Sequence, residues 1–129
     1  MNAMLPADVD MIDVMPILPS LNFEQTQKYY TESLGFTAIA CCNADCLVLT
    51  RGRIELHFWR CADPYLVTNS SVFLRSDNVE RLYEDFLGRG ADGLVKVRED
   101  EDRLVSFHIR DPHGNLLFFG RTRVADLPA

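Results

Sequence analysis

Hydrophobic positions along the chain follow two periods, and the switches between them outline its elements. Phe23, Thr26, Tyr30 and Leu34 recur at spacings of three and four. That spacing predicts an amphipathic helix with Asn22 as N-cap and Gly35 at its end. Val79, Leu82 and Phe86, widened by Tyr83 and Leu87, predict a second helix, capped by Asp77 or Asn78 and stopped by Gly90. Elsewhere the reading is extended. Strands are expected over 36–41, 46–50 and 54–59 in the first half, and over 95–98, 104–110 and 116–120 in the second. Arg51-Gly52-Arg53 makes a tight hairpin turn, and Asp111-Pro112-His113-Gly114-Asn115 a longer one.

The two halves echo each other. Leu18-Pro19-Ser20-Leu21-Asn22-Phe23-Glu24 reads against Leu74-Arg75-Ser76-Asp77-Asn78-Val79-Glu80 at an offset of 56, with Leu, Ser, Asn and Glu in step. Each segment runs from a short extended stretch into a helix, and three strands follow. The expected fold class is α+β, built from two βαβββ modules at 14–62 and 70–121. Neither half can bury its own sheet face well, so 14–121 should fold as one domain. Residues 1–13 then form an N-terminal arm and 122–129 a tail.

Composition narrows the function. The chain has 129 residues, 47% of them hydrophobic, enough for one domain with a core and too many for a disordered chain. Thirteen Lys and Arg against nineteen Asp and Glu give a net charge of −6, which disfavours a nucleic-acid partner. No run approaches the roughly 20 apolar residues that span a bilayer, so no membrane partner is expected. The first twelve residues hold no basic residue and no long apolar stretch, so no secretory signal is legible and the cytoplasm is the expected location. Cys41, Cys42, Cys46 and Cys61 lack CxxC spacing and read as reduced, small apolar residues.

Several segments together resemble the vicinal oxygen chelate superfamily, the group of glyoxalase I, extradiol dioxygenases and bleomycin-resistance proteins. They are Leu18-Pro19-Ser20 before the first helix, Tyr29-Tyr30 and Leu34-Gly35-Phe36 at its end, Glu55-Leu56-His57-Phe58-Trp59, and Asp111-Pro112-His113-Gly114-Asn115-Leu116-Leu117. The likeness covers about residues 14–121 and leans toward the bleomycin-resistance branch. It implies two βαβββ modules forming a curved mixed sheet around a cleft, completed by a homodimer. One departure stands out. Relatives of that branch commonly carry Trp-Gly-x-Glu-Phe before the Asp-Pro turn, where this chain has Arg103-Leu104-Val105-Ser106-Phe107.

The enzymes of the superfamily hold a divalent metal through His, Glu or Gln on the first and last strands of each module. Seven residues before Asn22 and Asn78 stand Met15 and Ser71, and four residues after Gly114 stands Phe118. None of the three is a good ligand. The remaining strand offers Glu55 and His57, too few for a tight site. No metal, no other cofactor and no catalytic residue is therefore expected.

A binding cleft remains. Alternation places Ile54, Leu56 and Phe58 on the core face of their strand, and Glu55, His57 and Trp59 on the opposite face. The strand equivalences add Met15, Ser71, Phe73 and Phe118 to the same lining. Trp59 and Phe118 offer flat faces for stacking, and Glu55 an anion for a ligand cation. The reading is a metal-independent small-molecule binding protein that sequesters a cationic or aromatic, bleomycin-like ligand in a dimer cleft. A glyoxalase-like lyase or dioxygenase is the alternative, as is a cleft turned into a partner interface. Glu55 and His57 facing solvent from an edge strand is the plainer reading of those two. Residues 77–102 hold four basic residues against nine acids, 4 − 9 = −5 of the net charge. Their run of four acids, Glu99-Asp100-Glu101-Asp102, is either a solvated loop or a negative rim. His113 is expected to face solvent from its turn, and His108 to lie on the sheet face opposite Phe107 and Ile109.

Overall fold

The computed structural model describes residues 9–39 and 44–121. Cys41, Cys42, the end of the strand expected over 36–41, most of the N-terminal arm and the tail lie outside the described residues. Strand β1 (Ile17–Ser20) leads into helix α1 (Phe23–Ser33), followed by β2 (Thr37–Ile39), β3 (Cys46–Arg51) and β4 (Ile54–Arg60). A short helix α2 (Pro64–Thr68) crosses to β5 (Ser71–Arg75), helix α3 (Val79–Gly88), β6 (Val95–Asp100), β7 (Arg103–Arg110) and β8 (Leu116–Gly120). This is the expected α+β order of two βαβββ modules.

Local chemistry sets the helix ends. The Asn22 side chain accepts from the Gln25 amide at 2.9 Å, and Glu24 sits in the first turn, where a negative charge is favoured. Gly35 leaves α1 at φ +73°, a conformation that costs glycine little. Asn78 holds the N-cap position of α3, yet its side chain makes no capping bond. Helix α2 begins with Asp63 as N-cap, bonded to the Tyr65 amide at 3.0 Å, and proline at its first position.

Each module forms its own four-stranded mixed sheet, ordered β1-β4-β3-β2 and β5-β8-β7-β6. Among the described residues no ladder joins the two sheets. The parallel pairs carry the repeat: Ile17 stands opposite His57, and Phe73 opposite Phe118. Ile17 and Phe73 are separated by the same offset of 56 that relates the two helix starts.

Leu56 and Phe58 from the first sheet, Leu117 and Phe119 from the second, and Tyr30 and Phe86 from α1 and α3 belong to one buried cluster. Tyr30 packs edge-on against Phe58 at 5.1 Å, and Phe107 stacks on Phe119 at 4.9 Å.

The Asp111–Asn115 turn reaches into the other module. Asp111 Oδ1 accepts from the amides of His113, Gly114 and Asn115, each at 3.0 Å. Its Oδ2 accepts from the Tyr30 hydroxyl and from Asn115 Nδ2, both at 2.8 Å. His113 is half-buried rather than solvent-facing, a correction to the sequence reading. Its Nε2 lies 2.9 Å from Gln25 Oε1, and its Nδ1 lies 3.3 Å from the Leu21 amide and from Thr26 Oγ1.

Candidate functional site

Burial along β4 alternates as the sequence requires. Leu56 and Phe58 are buried against the core, while Glu55 and His57 are half-buried and Trp59 is 41% exposed on the opposite face. Val48 of β3 and Ile17 of β1 flank His57 across the strands. His57 Nε2 lies 2.6 Å from Glu55 Oε2, so the two side chains hold each other along the strand.

The same face of the second sheet carries Phe73 and Phe118, whose ring centroids lie 5.7 Å apart. Gly120 makes room for them, since a Cβ there would sit 3.1 Å from the Phe73 ring. His108 is paired with Phe118 across β7 and β8, with ring centroids 6.2 Å apart. Its Nδ1 is buried and has no hydrogen-bond partner among the described residues. Alternation had separated His108 from Phe107 and Ile109, but its place beside Phe118 needed the β7–β8 register.

Met15, Glu55 and Phe73 meet at a cavity of about 240 Å³ between the two modules, with Arg53 and Arg75 also on its wall. His57 and Phe118 reach this group through Glu55 and Phe73. Trp59 lies farther along the face of β4, opposite Cys46 and Pro19. Ser71 is exposed at the start of β5, opposite Leu116, and does not line the cavity. The acidic run occupies the β6–β7 hairpin, where Lys96 lies 3.5 Å from Glu99 and Arg98 3.4 Å from Asp100. None of its four acids lines the cavity.

No family model and no curated protein sequence matches the chain. Solved structures do. A bleomycin-binding protein from bleomycin-producing Streptomyces verticillus, complexed with copper(II)-bleomycin, superposes with a TM-score of 0.73 at 23% identity. The alignment covers 88% of this chain and 98% of that one. A second bleomycin-binding protein, complexed with bleomycin, gives 0.68 at 26% identity over 88% of this chain and all of its own. A bleomycin resistance determinant encoded on the transposon Tn5 gives 0.67 at 24% identity, again over 88% and 100% of the two chains. The chain has the fold of the bleomycin-resistance branch of the vicinal oxygen chelate superfamily.

The metal site of the superfamily's enzymes does not fit this bleomycin-resistance fold. Phe118 occupies the register place that His57 holds in the first module, and a phenyl ring donates nothing to a cation. Met15 and Ser71 supply a thioether and a neutral hydroxyl, poor partners for a catalytic divalent ion. Among the described residues no group of three or more His, Cys, Asp and Glu is close enough to hold a metal. Cys46 and Cys61 are free thiols, and Cys61 is buried against the backbone of Asp63.

Proposed function

We propose that the chain is a small-molecule binding protein of the bleomycin-resistance type, which sequesters its ligand without turnover and without a metal. The observation that carries this reading is the open aromatic face. Trp59, on the strand of Glu55, is 41% exposed, Phe73 on β5 is 46% exposed, and Phe118 lies against Phe73. Flat exposed rings beside a carboxylate suit a planar ligand with a positive charge, stacked on the rings and paired with Glu55. In this reading Met15 and His57 complete the lining, and bleomycin is the probe the fold suggests.

The same face supports a homodimer. Ile17, Ile39, Val95 and Val97 are all exposed on or beside it, an apolar surface that a lone soluble protomer rarely leaves uncovered. A second copy laid across it would cover those residues and close the cleft. Among the described residues no helix is long and apolar enough to cross a membrane. The glyoxalase-like alternative has one support, the Glu55–His57 contact, which could serve as an acid–base pair.

Trp59 is the only tryptophan in the chain, so its emission reports on the site alone. Bleomycin added to the protein should quench or shift that emission saturably. Unchanged emission at saturating ligand, with no other change in the protein, would refute stacking on Trp59.

A further inference from the structure

A second concavity, about 530 Å³, opens where the β3–β4 turn faces β5 and the start of α3. Arg51, Arg53, Arg75 and Arg81 line it together with Ser76 and Asn78, and among the described residues no carboxylate lines it. Four of the thirteen basic residues of an acidic chain therefore converge on one hollow.

Two of the four are tied into the fold. Arg51 Nη1 donates to the Leu34 carbonyl at 2.6 Å and to Asp85 at 2.8 Å, and Arg75 lies 3.4 Å from Asp77. Among the described residues Arg53 and Arg81 have no ion-pair partner. Guanidinium groups gathered without enough carboxylates between them repel, and an anion seated among them relieves that repulsion. Helix α3 adds to the field: the Asn78 side chain makes no capping bond, so the positive end of the helix is not closed by its own N-cap.

We propose that this hollow binds a phosphoryl group carried by a small molecule. A tetrahedral dianion carries more charge and more acceptor oxygens than a carboxylate, and can accept from several guanidinium forks at once. The volume lies within the range of small-ligand sites. A nucleic-acid chain is disfavoured because the net charge of −6 would repel its flanking phosphates. Arg53 and Arg75 also border the cavity of Met15 and Glu55, so the two sites adjoin. The proposal does not rest on what fills that cavity.

Inorganic pyrophosphate, titrated calorimetrically into the whole chain at low ionic strength, is the test. One saturable site per protomer is expected. Arg53→Ala and Arg81→Ala should each weaken it about tenfold, while Lys28→Ala on the outer face of α1 should leave it unchanged. All three variants remove one positive charge from an exposed position, so they share any effect of net charge. Absence of saturation up to about 10 mM pyrophosphate, or an equal loss in all three variants, would overturn the proposal.

Discussion

Asn115 donates from its side chain to the carbonyl of Pro19 at 2.8 Å, across 96 positions of sequence. Asp111 holds that side chain in place while also accepting from Tyr30, so the buried ends of one turn of the second module fasten β1 and α1 of the first. The Asp-Pro-x-Gly-Asn motif is therefore a clasp between modules, and its residues do not line the candidate cleft.

Breaking the clasp should be costly. Asp111→Ala leaves the Tyr30 hydroxyl and Asn115 amide buried without their shared acceptor, and should cost about 3–5 kcal/mol in denaturant unfolding. Tyr30→Phe removes one donor only and should cost about 1–2 kcal/mol. Burial, and then the Asp111 charge and hydrogen bond, push the Tyr30 phenol well above its ordinary value of 10.0. Its proton is thus lost from the unfolded chain first. The stabilisation is complete below about pH 10 and declines as pH rises further, by up to about 1.4 kcal/mol per pH unit. Tyr30→Phe should flatten that decline.

Gly35 tests a second junction. A Cβ there would lie 2.8 Å from Arg89 Cζ and 2.9 Å from Arg51 Nη1, at a φ of +73°. Both arginines converge on Asp85. Desolvation pushes the Asp85 carboxyl up, but hydrogen bonds from Arg51 and Arg89 outweigh it, and the net shift is downward. Gly35→Ala should cost about 1–2 kcal/mol from the backbone, with a further loss from the displaced arginines. In an Asp85→Ala background that further loss should disappear, which a double-mutant cycle reads directly. The Asp85 contribution itself is present above the ordinary value of 3.8 and fades as pH falls through its lowered folded value.

How much of this was legible in the chain depended on range. Period-two alternation over 54–59 put Glu55, His57 and Trp59 on one face because a strand has no other way to point them. The offset of 56 brought Phe73 into line with Ile17, since the two parallel ladders share a register. Contacts made through the tertiary fold left no such trace. The bonds of His113 to Leu21, Thr26 and Gln25 span 87 to 92 positions and have no periodic signature. Helix α2 spans five residues, too few for a periodic stripe, although Asp63-Pro64 carries its start signal. A bulge near Val97 shifts the β6 register, so alternation could not carry the strand on into the acidic run. The arginine-lined hollow is assembled from a turn, a strand and a helix start, and no one segment announces it.

Association should follow from the exposed apolar face. Light scattering at micromolar concentration should give twice the protomer mass of 14.7 kDa. Val97→Lys, which places a charge at an exposed position on β6, should shift the equilibrium toward the protomer if that strand lies in the interface. A wild-type mass near 14.7 kDa would contradict the dimer.

Metal-independent binding at the aromatic face is the central claim, and calorimetry of EDTA-treated protein with metal-free bleomycin tests it most directly. The account predicts one ligand per protomer, with the same affinity and melting temperature before and after chelation. Trp59→Ala and Glu55→Gln should each weaken binding about three- to tenfold while the fold persists. A ligand bound only after one specific metal is restored, or equal affinity in both variants and the wild type, would contradict it.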